Sequence, residues 1–299
     1  SFAYRFPHTV VGAFLTTAFA IAGLSAWMML RGRNDHAVRT SFSLALWFAT
    51  IFVPVQIFLG DQQGLNVRDH QPAKLAAMEG HWRNEPGQSV PLILFGVPDE
   101  AAEETEYALE IPHLSSLIIT HSWDGTFPGL SEFPADERPP VFLTFWMFRI
   151  MVAIGFLMLG VALVSLWLRW RRRLYDTRWF QLLCFAMLPS GFVAVTTGWL
   201  TAEIGRQPWV VYGLLRTEDA LSPVTGGEVL VTLVLFVVVY AAIFIAGTYY
   251  LFKIMGKGPE IPEDLEAERE YTPRPKRPFS IPDESLEGPS GRNAPSAAE

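Results

Sequence analysis

Histidine, arginine and glutamate stand inside or at the ends of long apolar runs in this chain. An ionisable group at that depth in an apolar run is costly, so each needs a partner or a task. His8 sits in RFPHTVVGAFLT, where a neutral imidazole can ligate haem iron or simply reach the interface and water. Arg149 and Met151 share FWMFRIM. The arginine needs an anion, either a carboxylate or a haem propionate; the thioether is either packing or a haem ligand opposite a histidine. GWLTAEIGRQPW carries Glu203 and Arg206, three apart on one helix face, between Trp199 and Trp209. They read as a helix-end ion pair among interfacial aromatics, or as a carboxylate metal ligand with an anion-holding arginine. Lys74 and Glu79, in QPAKLAAMEGHW, suit a solvated helix surface or a quinol site. In the latter the carboxylate takes a proton and the cation polarises the ring oxygen.

The elements that must position these groups are membrane helices. Half of the 299 residues are hydrophobic, and they fall in blocks long enough to span a bilayer. The blocks are Val10–Leu30, Ser41–Gly60 (with Pro54), Val141–Leu168, Phe180–Leu200 running on to Arg206, and Val229–Phe252. The expected fold is an all-α, polytopic bundle of about five transmembrane helices. Arginines in the first loop (Arg31, Arg33, Arg39) and the third (Arg169, Arg171–Arg173, Arg178), with Lys253 and Lys257, lie on one side if every block spans. The positive-inside rule assigns that side to the cytoplasm. The acidic segment Asp61–Pro140 is then outside, with an amphipathic helix expected over Gln71–Arg83 and an interfacial stretch over Ser115–Trp123. The organisation expected is 1–60 with two helices and His8, 61–140 as an outer loop, 141–256 with three helices, and 257–299 as a disordered tail. A net charge of −7 argues against a nucleic-acid partner, and the single cysteine, Cys184, excludes an internal disulfide.

RFPHTVVGAFLT, GDQQG, QPAKLAAMEGHW, FWMFRIM and GWLTAEIGRQPWVVYG, taken together, resemble subunit I of cytochrome bd quinol oxidase. The resemblance runs in order from Phe2 to the last apolar block and covers the C-terminal helices of that subunit. It implies that His8 and Met151 are the axial ligands of haem b558, with Arg149 beside that haem. It implies quinol oxidation at Lys74 and Glu79, and Glu203 as a ligand of haem b595 or haem d, with Trp199 between haems and Arg206 near the high-spin pair. It further implies a bacterial cytoplasmic-membrane oxidase that takes electrons from ubiquinol or menaquinol outside and reduces O2 to water. Such an oxidase builds a proton-motive force without pumping. The implied partners are membrane lipid, subunit II and a small accessory subunit.

The loop 61–140 is compact, similar to that of the short-loop, cyanide-insensitive branch. The family's N-terminal helices, with the other high-spin ligand, are not in the sequence, so part of a longer subunit, or a naturally split one, is expected. Two other functions compete: a haem-free transporter or channel with Arg149 and Glu203 on an ion path, and a haem-binding fragment without turnover.

Overall fold

The computed structural model describes residues 2–84 and 87–257. The expected tail, 257–299, lies outside the described residues apart from Lys257, which closes the last helix.

The first helix, α1 (Phe2–Leu30), starts earlier than the apolar block and takes His8 into its second turn. The Asp35 side chain accepts from the Val38 amide at 2.9 Å and so opens α2 (His36–His70). Charge does not stop α2 at Gly60; it runs on through GDQQGLNVRDH to His70. Pro72, at the first position of α3 (Pro72–Glu79), is favourable there because its missing N–H would be unpaired anyway. The hairpin β1 (Leu92–Asp99) and β2 (Glu104–Ile111) pairs antiparallel with two irregularities. The sequence reading missed it, because β2 buries none of its residues and shows no apolar alternation. There follow α4 (Leu114–Thr120), α5 (Val141–Trp170), α6 (Arg178–Ala186), α7 (Ser190–Ile204), a short pair β3 (Trp209–Val211) and β4 (Leu215–Arg216), and α8 (Gly226–Lys257). The single fourth block of the sequence is two helices, broken at Met187–Pro189, where proline cannot continue the hydrogen-bond ladder.

Among the described residues, five spans are long and apolar enough to cross a membrane, α6 and α7 counting as one. Large side chains such as Phe14, Phe58, Phe156 and Leu163 are exposed, as befits a surface that meets lipid or neighbouring helices. Inside, Phe19, Phe42, Leu46, Val53, Leu168 and Phe180 form the core between α1, α2, α5 and α6. Small residues let α1 approach the broken span. A Cβ on Gly191 would stand 2.5 Å from Thr16 Cα, and one on Gly23 would stand 2.6 Å from Leu188 Cβ. α8 belongs to a unit of its own and is apolar between Glu228 and Lys253.

The arginine-rich connections gather at one end. Arg169 donates to the Ser43 hydroxyl and carbonyl, each at 2.8 Å, and Arg39 lies over the Tyr175 ring at 5.4 Å. α3 lies at the start of α5, thirty residues from its arginine-rich end, and is buried from Ala73 to Glu79. The amphipathic helix expected over Gln71–Arg83 is therefore present but shorter, and it is enclosed.

Candidate functional site

Enclosure turns Glu79 from a surface carboxylate into a buried one. Its side chain is 5% exposed and pairs with Arg149 Nη2 at 3.1 Å; the arginine side chain is 10% exposed. Arg149 Nε donates to the Ile93 carbonyl at 2.7 Å, and Ser115 Oγ donates to the Glu79 carboxylate at 3.0 Å. The guanidinium also lies over the rings of Phe145 and Phe148. The carboxylate that Arg149 needs is therefore Glu79. Four elements build the site: α3, α5, β1 and α4. A buried pair survives only when such extra hydrogen bonds satisfy both ions.

Lys74 does not join that pair. At 100° per residue, five steps along α3 leave the two side chains about 140° apart. Lys74 Nζ donates instead to the Ala202 carbonyl of α7 at 3.2 Å. Burial, with Arg5 and Arg206 against it and Glu203 for it, pulls the Lys74 pKa down to about 8. Glu203 and Arg206 form an ion pair at the end of α7, each about two-fifths exposed. Trp199 is exposed on the same helix. A cavity of about 250 Å³, lined by Arg5, Asn66, Val67, His70 and Gln71, lies at the junction of α2 and α3.

His8 faces α2. Its carbonyl accepts from Gln56 Nε2 at 3.0 Å, and a Cβ on Gly60 would stand 3.2 Å from its ring. His8 Nδ1 is buried without a hydrogen-bond partner among the described residues. Met151 faces α7, where a Cβ on Gly198 would stand 2.7 Å from its sulfur. The packing register relates the two. α1 and α7 run antiparallel, with Thr16 against Gly191 and Gly12 near Val195. Continuing one turn brings His8 level with about residue 199, next to the glycine that Met151 touches. An orphaned imidazole nitrogen and a thioether at one depth fit a pair of haem ligands. The exposed Glu203 and Trp199 fit a group bound outside this bundle.

Ser115, the Ile93 carbonyl, Arg5 and Gln56 were not singled out from the sequence. A backbone carbonyl leaves no sequence signal, and Ser115 opens an ordinary polar-to-apolar stretch, SSLII.

Comparison with known proteins gives a consistent result. Residues 1–259 match the family described as cytochrome bd terminal oxidase subunit I. The chain is 33% identical to cytochrome bd ubiquinol oxidase subunit 1 of Bacillus subtilis (strain 168), over 86% of the chain and 57% of that protein. It is 29% identical to cytochrome bd-II ubiquinol oxidase subunit 1 of Escherichia coli (strain K12), over 85% of the chain and 62% of that protein. The bd oxidase structure from Geobacillus thermodenitrificans superposes with a TM-score of 0.77 at 34% identity, covering 86% of this chain and 58% of that one. The chain thus spans about three-fifths of the length of these relatives. With its five spans, it is a multi-pass protein of the bacterial cytoplasmic membrane and belongs to the cytochrome bd terminal oxidase subunit I family.

Proposed function

We propose that this chain is the quinol-oxidising, low-spin-haem part of a respiratory terminal oxidase subunit. The observation that carries the reading is the buried Glu79–Arg149 pair. It ties the loop segment that holds a proton-accepting carboxylate to the helix that presents Met151, two residues beyond Arg149. A quinol gives up protons and electrons together, so a base must stand near the electron acceptor. Glu79 is that base. Arg149 and Ser115 fix its carboxylate, and Lys74, still mostly charged at neutral pH, is the cation for the ring oxygen.

His8 and Met151 would hold haem b558. Glu203, with Arg206 and Trp199, would serve haem b595 or haem d. When bound, these haems supply the one-electron carriers and the centre that reduces O2 to water. The arginine-rich end faces the cytoplasm and the loop 61–140 faces outside, so quinol protons are released outside. Ubiquinol or menaquinol, O2, lipid, subunit II and a small accessory subunit are the partners in this reading.

The test is optical. A pyridine haemochrome assay on the purified complex should find haem, and its reduced-minus-oxidised spectrum should lose the low-spin band in His8→Ala and in Met151→Leu. No haem, or an unchanged band in both variants, would overturn the assignment.

A further inference from the structure

Glu79 is enclosed, so a proton it accepts needs a way out. Its side chain is 5% exposed and bonded to Arg149 and Ser115. The residue two positions on offers the exit. α3 ends at Gly80, whose φ of +75° turns the chain sharply and whose missing Cβ leaves room for the Phe145 ring. His81 follows, 8% exposed, with its backbone held by Ala76 and Leu130 and its ring edge-on to Phe127. Its Nε2 lies 2.7 Å from the Pro91 carbonyl. A carbonyl only accepts, so Nε2 carries the hydrogen and Nδ1 is the basic nitrogen of the neutral ring.

His81 also lines a cavity of about 320 Å³, together with Arg83, Glu103, Glu104 and Glu110. At roughly 30 Å³ each, that volume holds on the order of ten waters. The acidic rim is partly fixed: Arg138 and Ser131 bond Glu103 and hold its carboxyl below the usual range, and Arg83 lies 3.7 Å from it. The charged groups that act on the His81 ring come from each side. Glu79 on α3 and Glu110 on β2 favour its protonation, Arg149 on α5 opposes it, and burial, the strongest influence, also opposes it.

We propose that His81 relays the proton accepted by Glu79 into this acidic, water-sized cavity, making it the proton exit of the quinol site. The proposal rests on the reading of Glu79 as the base. The steps balance as simple proton transfers. The quinol O–H breaks as a Glu79 O–H forms, and the quinol's electrons go to the oxidase's own acceptor. The Glu79 O–H then breaks as an Nδ1–H forms on His81, the proton passing through a water between the two side chains. That proton leaves from Nδ1 to water in the cavity that Glu110 also lines, while the Nε2–H stays on Pro91. Burial keeps the ring neutral, and so able to accept, at neutral pH.

The test uses the complete oxidase complex, wild type, His81→Gln and His81→Ala, with quinol-driven O2 uptake measured from about pH 5 to 8. His81→Gln should lower kcat at neutral pH by about tenfold or more, leave KM and the haem spectrum unchanged, and abolish the acid limb that the imidazole sets. Added imidazole should restore the rate of His81→Ala, because the cavity admits it. Unchanged kcat and pH profile in His81→Gln would overturn the relay. If His81→Gln loses its haem, failure of imidazole to rescue His81→Ala overturns it instead. A wild-type complex that does not oxidise quinol would overturn the functional reading itself, a separate result.

Discussion

Glu79 separates two roles that a single side chain can have. Removing its charge leaves Arg149 buried and unpaired, which costs about 3–5 kcal/mol. Glu79→Ala should therefore lower the thermal unfolding midpoint of the complex clearly. Glu79→Gln also removes the charge but keeps an acceptor for Ser115 and Arg149, so it should lower the midpoint less than Glu79→Ala and lose quinol turnover. Ser115→Ala removes a hydrogen bond to a charged group and should cost about 1.5–3 kcal/mol in the same assay. Lys74 gives a pH signature. Its folded pKa of about 8 lies below the ordinary 10.5, so the folded state binds fewer protons between those values. Stability contributed at this site therefore rises with pH from about 8 to 10.5 and is flat below. Thermal melts of wild type against Lys74→Met across that window check the sign. The candidate residues themselves were legible from their types and spacing. Their pairing was not: Arg149 and Glu79 are seventy positions apart, and periodicity within α3 alone cannot say which helix each face meets.

Elements were legible to the extent that composition drives them. Five apolar blocks became five spans because backbone groups in lipid must pair within a helix. The ends and breaks were less legible. α2 passes Gly60 because its last ten residues continue the helix and pack on α3 and α4 rather than on lipid. The fourth block breaks at Pro189, a residue that can equally sit inside a membrane helix, as Pro54 does. The hairpin β1–β2 was invisible because its outer strand is polar and exposed, yet it supplies the Ile93 carbonyl that holds Arg149. Close helix packing carries a testable consequence. Gly198→Ala would place a methyl 2.7 Å from Met151 sulfur, so it should shift or broaden the low-spin haem band while the complex still assembles. A band identical to wild type would show that Met151 is free to move and is not held as a ligand.

At the largest scale, the unit that ends at Gly226 is a helical bundle with a basic end and an opposite end that holds α3, the hairpin and the Glu203–Arg206 pair. The orientation proposed for it predicts that a cysteine introduced as Asp124→Cys, in a Cys184→Ser background, reacts with an impermeant maleimide from outside intact spheroplasts. One introduced as Arg172→Cys should react only after lysis. In the function proposed for the chain, a buried carboxylate takes the quinol proton beside the helix that holds the low-spin haem. Stopped-flow reduction of that haem by quinol, in wild type and Glu79→Gln complexes with equal haem content, tests it most directly. The account predicts reduction slowed at least about tenfold in Glu79→Gln with the haem band unchanged. Reduction at the wild-type rate would contradict it.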